Sequence, residues 1–259
     1  MTVRWNAESL WQQVVPLWPG FTVEVLPEID STNTELMRRA RAGQTDPVLL
    51  VAERQTAGRG RLGRQWQSAA GASLTFSLGV PLAPADWSGL SLVVGTVVAE
   101  ALHPAIQLKW PNDLWVEDRK LAGILIETAN WSSGGVAQRY AVIGVGINLL
   151  PRDAEGLSTP PACLQDLWSE VQAPDALARL MPPLAQALRD FEQHGFAPFQ
   201  TRFMARDALR DRAVALSDGT AGTAHGVAAD GALLVHTLRG MQTITSSEVS
   251  VRPTGKEGA

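Results

Sequence analysis

Apolar and polar positions change period several times along the chain, and each change predicts an element. FTVEVLPEI (21–29) alternates apolar and polar residues, as a half-buried strand does. Asp30-Ser31-Thr32-Asn33 follows, with Glu35 three residues after Thr32; this capping-box spacing predicts a helix that Gly43 ends. PVLLVAE (47–53) and ASLTFSLGV (72–80) read as strands on either side of QTAGRGRLGRQWQS (55–68), which has neither period and is a loop. Helical spacing returns over 87–102 and stops before Pro104. Four short strands are then expected at 106–110, 113–117, 120–128 and 140–149, followed by a Pro- and Ser/Thr-rich loop over 151–161. A helix is predicted from Ala176 to Gln193, broken or kinked at Pro182-Pro183 and closed by Gly195, with a last helix over Phe196–Leu209.

From Arg212 the texture becomes short β-like runs: AVALS, GTAHGVAA, ALLVHTL and QTITSSEVSV. Asp218-Gly219 and Asp230-Gly231 are hairpin signals between them. The fold class is therefore mixed α/β (α+β), residues 1–210, followed by a small β-barrel, residues 211–259.

Composition narrows the function classes. The chain has 259 residues and a single cysteine, Cys163, so no intrachain disulfide can form, which suits a reducing cytoplasm. The four histidines (His103, His194, His225, His236) show no metal-ligand spacing. MTVRWNAESLWQQVVPLW lacks the basic head and apolar core of a signal peptide, and the stretch from Leu90 to Leu102, interrupted by Glu100, is too short to span a bilayer. A net charge of −4 and a pI near 5.6 argue against a dedicated nucleic-acid binder. The expectation is a soluble cytoplasmic protein without membrane or nucleic-acid partners.

Candidate chemistry concentrates in four segments. In Gly58-Arg59-Gly60-Arg61-Leu62-Gly63-Arg64, the glycines allow close approach to a ligand, and their N–H groups could form an anion-binding nest. The arginines suit carboxylate or phosphate. The segment lacks the Lys-Ser/Thr of a P-loop and the dinucleotide spacing, so an RNA-binding basic loop and a merely solvated one stand beside the anion reading. Lys109-Trp110-Pro111-Asn112-Asp113 is turn chemistry; it is either a plain turn or one that sets Lys109 beside phosphate and lets Asp113 support Mg²⁺ or orient a basic partner. Lys120 heads the apolar run KLAGILIE, directed into a cleft or marking a solvated strand edge. Gly144 and Gly146, in a β run, signal close approach of a ligand or of a neighbouring backbone.

In order and spacing, DSTN (30–33), QTAGRGRLGR (55–64), KWPNDL (109–114), KLAGILIE (120–127) and GVGINL (144–149) resemble the biotin protein ligase family. The match is good over about 25–150, looser in the C-terminal module and slight over 150–210. The resemblance implies a mixed-sheet catalytic domain followed by an SH3-like barrel. It implies a two-step reaction, in which biotin and ATP give biotinyl-5′-AMP and a lysine of a biotin carrier protein then takes the biotinyl group. The acceptor would be the carrier subunit of acetyl-CoA carboxylase.

On this resemblance the biotin-binding positions are Ser31, Thr32, Asn33, Gln55, Gly58, Arg59, Gly60, Arg61, Lys120, Gly123 and Gly144, with Lys120 and Arg61 catalytic. The ATP or adenylate positions are Arg61, Arg64, Trp66, Lys109, Asn112, Asp113, Asn148 and Arg252, and Asp113 would also hold Mg²⁺. Trp66 either packs on the adenylate or serves as core or lid packing.

Two departures matter. Ser68-Ala69-Ala70-Gly71 stands where many relatives have proline after the serine, which alters local stiffness. The first motif arrives at residue 30, which leaves no room for a winged helix-turn-helix, so ligation without repressor function is expected. A lipoate or other acyl-carrier ligase is the nearest alternative, and a nucleic-acid-binding regulator the most distant. Strand edges leave a homodimer open.

Overall fold

The computed structural model describes residues 3–133, 136–245 and 250–254. Seven strands form one sheet in the order β1-β2-β3-β7-β6-β5-β4: β1 (Thr22–Ile29), β2 (Val48–Gln55), β3 (Ser73–Pro81), β4 (Gln107–Lys109), β5 (Asp113–Val116), β6 (Arg119–Ser133) and β7 (Val136–Asn148). β1 and β2 run parallel and every other pair antiparallel, so the sheet is mixed. Five further strands make a separate antiparallel sheet in the order β11-β10-β9-β8-β12: β8 (Ala213–Leu216), β9 (Ala221–Val227), β10 (Leu233–Thr237), β11 (Gly240–Ile244) and β12 (Val251–Pro253). This is the small C-terminal β unit that the run-and-turn pattern predicts, with Gly219 and Gly231 in its turns at φ 88° and 84°.

Period-two alternation divides the labour of the large sheet. Leu74, Phe76 and Leu78 of β3 and Ile143, Val145 and Ile147 of β7 face one side. There they meet α3 (Leu90–Leu102), α4 (Ala173–His194) and α1 (Ala7–Val14) in the main core. On the other side, α2 (Thr32–Arg41) covers half of the sheet, packing Leu36, Met37 and Ala40 on Val48, Leu50, Tyr140 and Val142. Beyond the N-terminus of α2, the same face carries Thr75, Ser77, Gly144 and Gly146, and a cleft opens there.

Several sequence expectations need correction. The N-cap of α2 is Ser31, whose side chain accepts from Thr34 N, so the Thr32/Glu35 register is one residue off. Glu35 instead pairs with Arg38 and Arg39 on the helix surface. The helix expected from 87 begins at Leu90, after Gly89 in the left-handed region at φ 79°. α4 starts at Ala173 and runs unbroken through Pro182-Pro183. The carbonyls that those prolines leave without i+4 donors belong to Ala178 and Arg179, both exposed to water, while Leu180, Met181, Leu184 and Ala185 anchor the helix in the core. The single helix expected over 196–209 is a 3₁₀ turn, Ala197–Phe199, and the five-residue α5 (Gln200–Met204). Strand β6 reaches Ser133 and β7 starts at Val136, longer than the runs that predict them. In the final run, β11 and β12 are distinct strands, and 246–249 lie outside the described residues.

Candidate active site

One end of the cleft is built from the N-terminus of α2 and is neutral. Gln55, the last residue of β2, accepts at Oε1 from the Thr32 N–H at 2.8 Å and from the Thr32 hydroxyl at 3.1 Å. Ser77, fully buried on β3, donates to Asn33 Oδ1 at 2.6 Å and lies 2.7 Å from Thr32 Oγ1. The Asn33 amide donates to the Leu125 carbonyl at 3.2 Å and to the Glu127 carboxylate at 3.1 Å. Four elements, α2, β2, β3 and β6, therefore lock short polar side chains into a network before any ligand arrives, which is the condition for specific hydrogen-bonding recognition.

The floor is glycine for a reason that the sequence leaves open. A Cβ on Gly144 would lie 2.0 Å from Asn33 Oδ1, and one on Gly146 would lie 2.3 Å from Cε2 of Trp66. These two glycines thus clear space for side chains of the site itself, rather than for a ligand or for neighbouring backbone.

Over the floor lies the 58–66 loop, closed on itself as a small hairpin. Gly60 N donates to Arg64 O at 2.7 Å, Arg64 N to Arg61 O at 3.2 Å and Trp66 N to Gly58 O at 2.9 Å. Those three N–H groups, Gly60 among them, are used internally and are lost to an anion nest; the loop also delivers side chains. Leu62, at its tip, is exposed and left-handed at φ 56°. Arg59 reaches Glu127 at 3.1 Å, which ties the loop to β6 beside the neutral network. Arg61 is half-buried and its Nη1 donates to Asn112 Oδ1 at 3.3 Å. Burial disfavours its charge, with Asp113 nearby acting in the opposite sense.

The opposite end is rich in cations. Lys120 pairs with Asp113 at 2.7 Å across the β5–β6 ladder. Lys109, on β4, is 9% exposed and lies 5.8 Å from the Trp115 ring centroid. Burial pulls its pKa down to about 8; Asp113 resists the fall, and Lys120, Arg64 and Arg61 deepen it. Among the described residues, Arg61, Arg64, Lys109, Lys120 and Arg152 line the cleft against one lining carboxylate, Asp113, while Arg59 is paired with Glu127. Such an imbalance, part of it desolvated, favours a polyanion.

Nearly all the residues singled out from sequence meet here. Ser31, Thr32, Asn33, Gln55, Arg59, Gly60, Arg61, Arg64, Trp66, Lys109, Asn112, Asp113, Lys120, Gly123, Gly144 and Asn148 all line this one cleft. Gly58 does not; it sits beneath Trp66, where a Cβ would meet the Trp66 carbonyl at 2.3 Å. Arg252 also stays outside, exposed on β12, and among the described residues of the barrel it is Ser250 that lines the cleft. Asn112 fills the plain-turn role as well, donating to the Ile124 carbonyl at 2.9 Å. Asn148 is clamped by the carbonyls of Lys120 and Ala162 at 3.2 and 3.1 Å, so its amide N–H groups serve the protein first.

Sequence reasoning missed Ser77, Glu127 and Arg152. Arg152 donates to Asn148 and Gln67, and its guanidinium lies 6.0 Å from the Trp66 ring centroid. Its loop pairs with Lys120 through Lys120 N to Pro160 O and Ala162 N to Lys120 O. The family-poor stretch after residue 150 is thus one wall of the cleft, with Leu157, Ser158 and Thr159 in it.

Residues 25–148 match the Biotin/lipoate A/B protein ligase family, and residues 213–252 match the Biotin protein ligase C terminal domain. The bifunctional ligase/repressor BirA of Escherichia coli is 38% identical over 256 residues, covering 95% of this chain and 78% of the relative. The biotin–[acetyl-CoA-carboxylase] ligase of Paracoccus denitrificans is 31% identical over 243 residues, covering 87% of this chain and 98% of the relative. A biotin protein ligase from Aquifex aeolicus, solved in complex with biotin and ATP, superposes with a TM-score of 0.74 at 29% identity, covering 90% of this chain and 99% of the other.

Proposed function

The chain belongs to the biotin protein ligase family, and from that premise we propose that its cleft activates biotin with ATP and transfers the biotinyl group to a carrier protein. The observation that carries this reading is the division of the cleft. A neutral network of Thr32, Asn33, Gln55 and Ser77 suits the polar edges of a biotin head group, and the cationic end suits a triphosphate.

Between the two ends, Lys120 is the cation best suited to the reacting atoms. A carboxylate of biotin attacks the α-phosphorus of ATP, the α–β P–O bond breaks, and pyrophosphate leaves with the electron pair. Lys120 and Arg61 offset the charge that develops on the α-phosphoryl oxygens, and Lys109 and Arg64 hold the β- and γ-phosphates. Catalysis of this kind rests on alignment and charge stabilisation, not on an enzyme-bound intermediate. In the second step an uncharged lysine amine of the acceptor attacks the biotinyl carbonyl, and AMP leaves. Trp66, packed against Gly146, and Arg152 beside it wall the adenylate from water, which would hydrolyse the mixed anhydride.

Mg²⁺ enters as part of the nucleotide substrate. Asp113 is the one carboxylate lining the cleft among the described residues, and an ion held mainly by phosphate oxygens and water needs only about one or two such groups. Asp113, now paired with Lys120, would hold the ion, and Lys120 would then offer its ammonium to the reacting oxygens. The acceptor we propose is the biotin carrier subunit of acetyl-CoA carboxylase, the enzyme that the name of the relative from Paracoccus denitrificans gives as acceptor. The catalytic unit comprises residues 1–210 and the barrel residues 211–259. Arg252 keeps no assignment at the nucleotide. Pairing of two copies through a sheet edge is left to sedimentation, where a single monomer mass at every concentration would end it. Among the described residues no helix is long and apolar enough to cross a membrane.

The test is biotin-dependent exchange of labelled pyrophosphate into ATP, with lipoate and no acid run in parallel. Exchange with biotin alone is expected. Exchange with lipoate alone would move the substrate to another acyl acid, and none with either would refute the reading.

A further inference from the structure

The β4 strand carries Lys109 yet is poorly secured by the sheet itself. It has three residues, is the last strand of the sheet, and pairs within that sheet only with β5. Such a strand leaves a row of unpaired backbone groups and little packing of its own. What covers its free edge is the segment leading into the barrel: Leu108 N donates to Arg206 O at 2.8 Å, and Ala208 N donates to Leu108 O at 2.9 Å. One residue past the strand, Trp110 is buried to 1% exposure, and its indole Nε1 donates to the Gly231 carbonyl at 3.0 Å. Gly231 belongs to the turn between β9 and β10 of the barrel, and a Cβ there would meet Gly89 Cα, at the cap of α3, at 2.9 Å.

Period-two alternation makes this arrangement directional. Leu108 and Trp110 belong to the apolar core, and Lys109 between them lines the cleft on the other side. Both neighbours of Lys109 are therefore fixed by residues C-terminal to position 205, and the barrel itself brings Ser250, not a charged side chain, to the cleft lining among the described residues.

We propose that Trp110 is a positioning residue: through its hydrogen bond to the Gly231 carbonyl, the docked barrel sets where Lys109 stands at the nucleotide end of the cleft. The inference rests on the reading of Lys109 as a phosphate ligand, and adds that the barrel serves ATP by holding β4. Biotin, bound at the α2 end against Thr32, Asn33 and Gln55, is outside its reach.

Trp110→Phe keeps the aromatic body and removes the donor, which leaves the Gly231 carbonyl buried without its partner. Gly231→Ala acts from the barrel side, where φ 84° and the 2.9 Å approach to Gly89 force the turn outward. Pyrophosphate exchange by the full chain, with KM for ATP, KM for biotin and kcat measured separately, reads the effect, and thermal melting confirms that each variant is folded. Both variants are expected to raise the KM for ATP about tenfold, the factor set by roughly 1.4 kcal/mol of lost binding, and to leave the KM for biotin within about twofold. A folded variant with an unchanged KM for ATP overturns the proposal, and so does an equal rise in both KM values. Should Trp110→Phe fail to fold, Gly231→Ala alone decides. A wild-type chain that performs no exchange would instead refute the proposed function, a result separate from variants that match an active wild type.

Discussion

The two ends of the cleft solve opposite electrostatic problems with the same strands. At the α2 end every polar group named above already has a partner: Gln55 holds Thr32, Ser77 holds Asn33, and Glu127 takes Asn33 and Arg59. At the β4 end charge is left unbalanced, with Lys109 desolvated and a single carboxylate among several cations. The first end is rigid and selects by shape and hydrogen bonds. The second stores an unfavourable concentration of like charge that a polyphosphate relieves. Specificity and binding energy are therefore divided in space, and perturbations at the two ends should be separable in kinetics.

The largest separation is expected at Lys120, between the two ends. Lys120→Ala removes the cation facing the reacting atoms and leaves Asp113 without its partner. Adenylate formation in a single turnover should fall about 10²–10³-fold, the range found for a positioned charge-stabilising donor. The α2 end should stay intact, so biotin binding by calorimetry should weaken far less. A loss of biotin affinity as large as the loss of rate would erase the distinction between the ends.

Gly144→Ala attacks the neutral end. Its methyl would enter at 2.0 Å from Asn33 Oδ1 and displace that side chain from Ser77 and Glu127. Two buried hydrogen bonds, each about 1 kcal/mol net, predict a rise of about 30-fold in the KM for biotin. The KM for ATP should hardly move. Equal changes in both would show that the ends are mechanically one.

How much of this was legible from the sequence follows the same division. The cationic end announces itself: arginines among glycines in a loop with no helical or strand period, and lysines at strand ends beside turns, carry their chemistry on the surface of the pattern. The neutral end is disguised. Ser31 and Thr32 read as a helix start, which Ser31 indeed caps, and Ser77 alternates with apolar residues along β3 like Ser73 and Thr75, with no charge or turn to mark it. Arg152 lies in a Pro- and Ser-rich stretch whose only local signal is "loop", and the fold brings it to Trp66 through the Pro160–Lys120 pairing. Arg252 shows the converse, a position carried over by resemblance that β12 leaves exposed and outside the cleft.

Strands were readable as an alternating run at 21–29 or as short apolar runs between turn and loop residues, and the sheet order was not, since non-local pairing leaves no local trace. α1 was not read, although Ala7, Leu10, Trp11 and Val14 have helical spacing; it is a short segment of two turns. α4 was misread at Pro182-Pro183 because a local rule met a buried helix face that outweighs it.

A third test uses pH. Lys109 is held near 8, mainly by burial, so in the free enzyme its charged fraction falls as pH rises through that value. The kcat/KM for ATP, which reports free-enzyme ionisations, should drop about tenfold between pH 7 and pH 9 if only the ammonium binds phosphate. In Lys109→Arg the guanidinium stays charged and the decline should vanish, whatever the absolute rate. The kcat/KM for biotin should show no matching decline, because the neutral network titrates nowhere in that range. Stability runs with the opposite sign. A lysine whose folded pKa lies below its unfolded value makes the folded state bind fewer protons between about 8 and 10.5, so stability rises with pH there while ATP capture falls.

The smallest effect, and the sharpest for the comparison, is Ser77→Ala. Ser77 has no exposure and touches no charge; its hydroxyl serves only to orient Thr32 and Asn33. Removing it leaves Asn33 Oδ1 short of one donor while the Glu127 and Leu125 contacts persist. About 1 kcal/mol of lost orientation predicts a rise of about fivefold in the KM for biotin, with kcat and the KM for ATP unchanged. Because the substitution deletes one atom inside the sheet, it neither reshapes the floor nor alters the field at Lys109 and Lys120. A change confined to biotin would mean that the network acts by pre-orienting two side chains. A change confined to ATP, or to kcat, would mean that the buried hydroxyl acts through the sheet on the cationic end, and the division of the cleft into a selecting end and a binding end would fail.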